Sequence, residues 1–188
     1  MIGSLAVASI AIACGSSPAS PPPPNLDMPA SPTPAANDTS AIVGTWEREN
    51  TCQEVVSALR DAGLDRWVLE AVAGNGFVPG ATRPEQIADP NDPCDGAVSR
   101  QHSHFFTEDG TFGSLDWNGD PVDDGTYEIP EDGTLVISKE FPDVTFHYAV
   151  NGDTIMFEPE IPACSPDCFE AAWSVMVALP GETWHRVA

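Results

Sequence analysis

The side chains best equipped for chemistry are histidines, carboxylates and cysteines. His102 and His104 stand two apart in the run Gln101 to Thr107, whose composition reads as a strand. Residues i and i+2 of a strand leave the same face, so the two imidazoles point together. His147 lies in a second such run. Two or three imidazoles with a carboxylate would suit zinc or copper. The same pattern is what a solvent-facing strand surface carries, and the plainer reading is adopted here: no metal site is expected. Asp116-Trp117-Asn118-Gly119-Asp120, with Asp123 and Asp124 just after, is dense in hard oxygen ligands. It lacks the glycine position and the closing glutamate of a calcium loop. Asn118-Gly119 is better read as a hairpin turn and Asp124-Gly125 as a bulge or bend.

No nucleophile elbow, zincin helix or phosphate loop is present, and no cofactor motif. Carboxylates are so abundant that a pair suited to glycoside hydrolysis could arise by chance, but no spacing points to one. The chain is therefore read as non-enzymatic. Its five tryptophans, Trp46, Trp67, Trp117, Trp173 and Trp184, are expected in the core; Trp117, beside a turn, is the one whose exposure would matter.

The charge balance sets the class of partner. Twenty-nine acidic residues face 7 basic ones, a net charge of −22, and Lys139 is the only lysine among 188 residues. A phosphate backbone needs a basic face, so nucleic acid is excluded as a partner. Direct docking on anionic lipid is excluded by the same argument. Hydrophobic residues make up 41%, enough for a packed core.

Residues 2–13 are almost wholly apolar and precede Cys14. Twelve residues are too few for a spanning helix, which needs about 20, but suit the apolar core of a secretory signal. Ala11-Ile12-Ala13-Cys14, followed by Gly15, Ser16 and Ser17, resembles a bacterial lipoprotein box. That resemblance implies a cleaved leader over residues 1–13, a lipid on Cys14, and residence on the extracytoplasmic face of a cell membrane. Residues 14–41 then hold eight of the 19 prolines with Ser, Ala, Thr and Asn, the composition of an extended tether. A tether keeps an acidic domain clear of anionic lipid, whose repulsion fades over about 8–10 Å.

Export explains the remaining cysteines. Cys52, Cys94, Cys164 and Cys168 are an even set, expected as two disulfides. Of three pairings, Cys52–Cys94 with Cys164–Cys168 is favoured, because each bond then closes its own segment outside the strands. The Cys164-x-x-x-Cys168 spacing as a metal site is the weaker alternative.

These groups must be positioned by a mainly β domain, residues 42–188. Residues 42–48 read as a strand. Thr51 and Glu54 form a capping box ahead of Val55, Val56, Leu59 and Ala62, which predicts a helix ended by Gly63. A second short helix is expected over 65–73 and one more turn near Thr82 and Glu85. Residues 50–99 thus form a helical insertion after the first strand. From Arg100 the chain becomes an antiparallel up-and-down meander, punctuated by Asp109-Gly110, Asn118-Gly119, Asp132-Gly133 and Asn151-Gly152. Residues 169–179 fit a strand and a helix; the alternation of Phe169, Ala171, Trp173, Val175, Val177 and Leu179 favours a strand.

Gly44-x-Trp46 in the first strand and Trp184-x-Arg186 in the last resemble the lipocalin-like, or calycin, barrels. The resemblance implies that the meander closes into a barrel, with Trp46 stacked on Arg186 at one end. It also places the helical insertion where members of that family carry a lid-like loop. The function implied is binding of a small apolar ligand, with Phe105, Phe112, Phe146 and Tyr148 lining the interior. The alternative is a barrel filled with its own side chains that serves as an interaction module for an envelope protein.

Overall fold

A computed structural model describes residues 41–139, 142–164 and 167–187. The expected leader, Cys14 and all but the last residue of the tether lie outside the described residues. The strands are Gly44–Asn50 (β1), Arg100–Phe106 (β2), Thr111–Leu115 (β3), Pro121–Glu131 (β4), Thr134–Ser138 (β5), Val144–Asn151 (β6), Thr154–Pro159 (β7) and Thr183–Val187 (β8). Each pairs antiparallel with the next, and β1 pairs with β8, so the meander closes into an eight-stranded barrel. Closure removes every free sheet edge.

The turns follow from the sequence. Gly110 and Gly152, in Asp-Gly and Asn-Gly pairs, take φ of +84° and +60°, which a side chain would oppose. The irregularity expected at Asp124-Gly125 falls instead at Val122, where the register shifts between Ser114, opposite Asp123, and Leu115, opposite Pro121. Gly125 itself stays in the ladder, facing Phe112.

The first connection is helical as expected. Cys52–Asp61 forms α1, and Asp65–Trp67 is a 3-10 turn leading into Val68–Gly74, α2. At the start of α1 the Glu54 amide donates to Thr51 Oγ1 (3.3 Å) while the Thr51 amide donates to Glu54 Oε2 (2.8 Å), a reciprocal cap. Both disulfides are present, Cys52–Cys94 and Cys164–Cys168.

Phe169–Ala178 is a helix, α3, and not the strand favoured by its alternation. The reason is burial on both sides. Trp173, Val177 and Ala178 pack into the barrel core, while Ala171, Ala172, Val175 and Leu179 pack against the insertion. A helix apolar all round carries no polar face to mark its period. Topology puts the insertion, the β3–β4 turn and α3 at one end of the barrel, since all three connect strands there. The chain thus has a barrel core and a helical core, and α3 belongs to both.

Candidate functional site

At the first and last strands, Trp46 faces Arg186 across the β1–β8 pairing. The Arg186 guanidinium carbon lies 4.1 Å from the indole centroid, a cation–π stack. Trp46 is fully buried and its Nε1 donates to the Ile42 carbonyl (2.8 Å). Arg186 Nη2 donates to the Ala41 carbonyl (2.6 Å). The pair seals the barrel where the chain enters and leaves it.

His102 and His104 lie on β2, beside β1 and its Trp46. Trp46 pairs with His104, His104 with Ser114, and Ser114 with Asp123, so this belt of four shares the inner face of β1 to β4. His102 and His104 share that face, as expected, but the face is the inside of the barrel and not its solvent side. His104 is 0% exposed and stacks on Trp184 at 4.3 Å between ring centroids. Its Nε2 lies 2.9 Å from the Val177 carbonyl of α3, and its Nδ1 lies 2.8 Å from Ser114 Oγ. A carbonyl only accepts, so Nε2 carries the proton and the Ser114 hydroxyl donates to Nδ1. Burial, reinforced by the neighbouring His102, holds the His104 pKa well below the ordinary imidazole value; the Val177 contact opposes this. His102, 5.0 Å away ring to ring, is also lowered by burial, with Asp123 and Asp116 pulling the other way.

The Ser114–His104 contact has the composition of a nucleophile and its base. Both residues are 0% exposed and both imidazole nitrogens are occupied, so the pair can lock β2, β3 and α3 together but offers no surface to a substrate. His147 is on the outer face of β6, where Nε2 meets Glu160 Oε1 at 3.0 Å. The three histidines are therefore not brought together. Among the described residues no group of three or more His, Cys, Asp or Glu is arranged to hold a metal ion.

The acid-rich turn is a turn. Asp116 Oδ1 accepts from the amides of Asn118 (2.8 Å) and Asp120 (3.0 Å). Asp123 turns inward instead, pairs with Lys139 and accepts from Trp173 Nε1 (3.1 Å). The chain's only lysine thus helps fix α3 in the mouth. Nearby, Arg48 reaches from β1 to Glu54 (2.7 Å) and Glu182 (3.2 Å), tying the barrel to α1 and to the approach of β8.

Of the four expected lining residues, Phe112 and Phe146 are 0% exposed within the barrel core, and Tyr148 is half-buried on the same inner face. Phe105 does not line the interior. It sits between the inward His104 and Phe106, so alternation sends it outside, where its ring covers Gly113. Sequence reasoning also missed a cluster at the join of insertion and barrel. Arg100 stacks over Trp117, 4.6 Å from the ring centroid, and its Nε donates to the Gly76 carbonyl (2.8 Å). No spacing rule links residues 76, 100 and 117; only the barrel brings them together.

Neither a family model nor a curated protein matches the chain.

Proposed function

We propose that this chain is a non-enzymatic, lipid-anchored module of the extracytoplasmic face, built on a lipocalin-like barrel, that works by its outer surface and not by an internal ligand. The observation that carries this reading is the packing of the barrel. Trp46, Trp184, Phe112, Phe146 and His104 are each no more than 2% exposed, and Trp173 of α3 occupies the mouth. Where a carrier needs a cavity, this barrel has side chains. A carrier of an apolar ligand would require α3 to leave the mouth, breaking its contacts with His104 and Asp123. The Trp46–Arg186 stack supports the lipocalin likeness, and two disulfides fit an oxidising compartment. The membrane tether rests on Ala11-Ile12-Ala13-Cys14 and the Pro-rich stretch that follows. The partner on this reading is an envelope protein met at the acidic exterior.

Native mass spectrometry of the protein purified from its host tests the filled barrel. An apo mass is expected, and a bound lipid-sized mass would overturn it in favour of the carrier. Fractionation of a Cys14→Ser variant tests the anchor. It should move from the membrane to the soluble fraction, and its retention in the membrane would sink that part of the proposal.

A further inference from the structure

The join between the insertion and the barrel holds a cleft of about 190 Å³, walled by Trp117 and Arg100 on one side and by Ala73, Val78 and Ala81 on the other. Gly74, Gly76, Gly80 and Thr82 complete it. The Trp117 ring lies so close to Gly76 that a Cβ there would sit 2.3 Å from the ring, so only glycine lets the indole seat.

Arg100 stands out among the cations of an acidic chain. Arg48, Arg60, Arg83 and Lys139 each pair with a carboxylate, and Arg186 is spent on backbone carbonyls. Arg66 is unpaired but lies on the exposed surface. Arg100 forms no ion pair with any described residue and uses only Nε, toward Gly76. Every fully buried side-chain nitrogen or oxygen among the described residues has a partner, so the unbonded Nη atoms of Arg100 are reachable from solvent. A guanidinium presents its Nη donors as a fork that fits a carboxylate. Here that fork is held in place from behind by the indole and by the Gly76 carbonyl.

We propose that this cleft binds a small organic monocarboxylate, with the carboxylate on the Nη edge of Arg100 and an apolar body against Trp117, Val78 and Ala81. The volume sets the size: a cavity of about 150 Å³ accepts a benzene ring. The net charge of −22 sets the charge, since repulsion from the whole chain grows with each further negative charge on the ligand. The assignment uses only residues 73–82, 100 and 117, so it stands or falls independently of the membrane tether and of the filled barrel.

The test is a titration of the full chain, 15N-labelled at tryptophan, with sodium benzoate and with benzyl alcohol as the neutral isostere. Trp117→Phe assigns the Trp117 indole signal. Benzoate should shift that signal saturably in the millimolar range, and benzyl alcohol should bind at least ~10-fold more weakly, as expected when a charged hydrogen bond is lost. Arg100→Gln should lose the benzoate response by a similar factor while the other indole signals stay in place. Val78→Phe, which fills the cleft and leaves Arg100 untouched, should lose it as well. The proposal is overturned by the absence of a saturable shift up to ~50 mM benzoate, an affinity too weak for a built site. It is equally overturned if benzyl alcohol matches benzoate, or if either variant binds as the parent does.

Discussion

His104 is the residue on which the interior turns. Its neutral form donates to the Val177 carbonyl and accepts from Ser114, and a second proton would reverse the Ser114 hydrogen bond and bury a charge inside an apolar barrel. The unfolded chain takes that proton near the ordinary imidazole value of about 6.5 and the folded chain resists it, so below that pH the unfolded state binds more protons. Stability therefore falls as pH falls. Between pH 6.5 and 5.5 His104 alone should remove about 1 kcal/mol, read as a drop in the urea midpoint, and His104→Gln should flatten the slope. A slope unchanged by that substitution would show that the acid sensitivity lies elsewhere. The sequence told that His102 and His104 share a face but not which one. Phe105 and Phe106 follow at opposite parities, so an aromatic anchored either reading. Only the pairing of His104 with Trp46 resolves it, and that is a long-range fact.

At the scale of elements, two glycines make opposite demands on the barrel wall. A Cβ on Gly113 would meet the Phe105 ring at 2.2 Å, and that outer-face side chain can swing away. A Cβ on Gly125 would meet the Ser138 carbonyl at 2.6 Å, and the β4–β5 ladder cannot yield. Thermal melts should give Gly113→Ala a loss of about 1 kcal/mol and Gly125→Ala 2–3 kcal/mol, with Phe105→Leu rescuing only the first. The disulfides divide by loop length. Cys52–Cys94 spans 42 residues and Cys164–Cys168 spans 4. On the chain-entropy model their removal costs about 4 and about 2 kcal/mol, so the paired Cys→Ala variants should differ by ~2 kcal/mol in that order. The strands, their turns and the first helix were legible because each carries its own punctuation: Asp-Gly and Asn-Gly pairs, and the Thr51–Glu54 cap. Helix α3 has none. Cys168 precedes it and Leu179 follows it, both in the left-handed region at φ of 62° and 43°, where a glycine or asparagine would have signalled an end. Leu179 is kept there because it is buried in the helical core. Burying a leucine is worth about 1.5–3 kcal/mol, and the left-handed conformation costs about 1–2, so packing wins over local preference.

For the whole molecule, α3 decides whether the barrel is a container or a solid. Among the described residues it is the element shared by both cores, and Trp173 is its largest side chain in the barrel core, edge-on to Phe112 and Phe146 at 6.3 and 6.1 Å between centroids. Removing the indole separates the two roles that the sequence left open. Trp173→Ala should cost about 3–5 kcal/mol, the range for large-to-small changes in a core that cannot fully collapse. The wall around the vacated space is an antiparallel ladder closed on itself, so it should hold its shape and leave an apolar hollow. Such hollows stay dry and take up xenon or benzene. Pressurised xenon should therefore perturb the Phe112 and Phe146 signals in the Trp173→Ala variant and leave them unmoved in the parent protein. If the parent responds equally, its interior already holds a cavity, and the carrier reading replaces the filled one. If the variant does not respond, α3 has slid inward to refill the mouth. The helix would then be a mobile plug, and access to the interior a matter of its position.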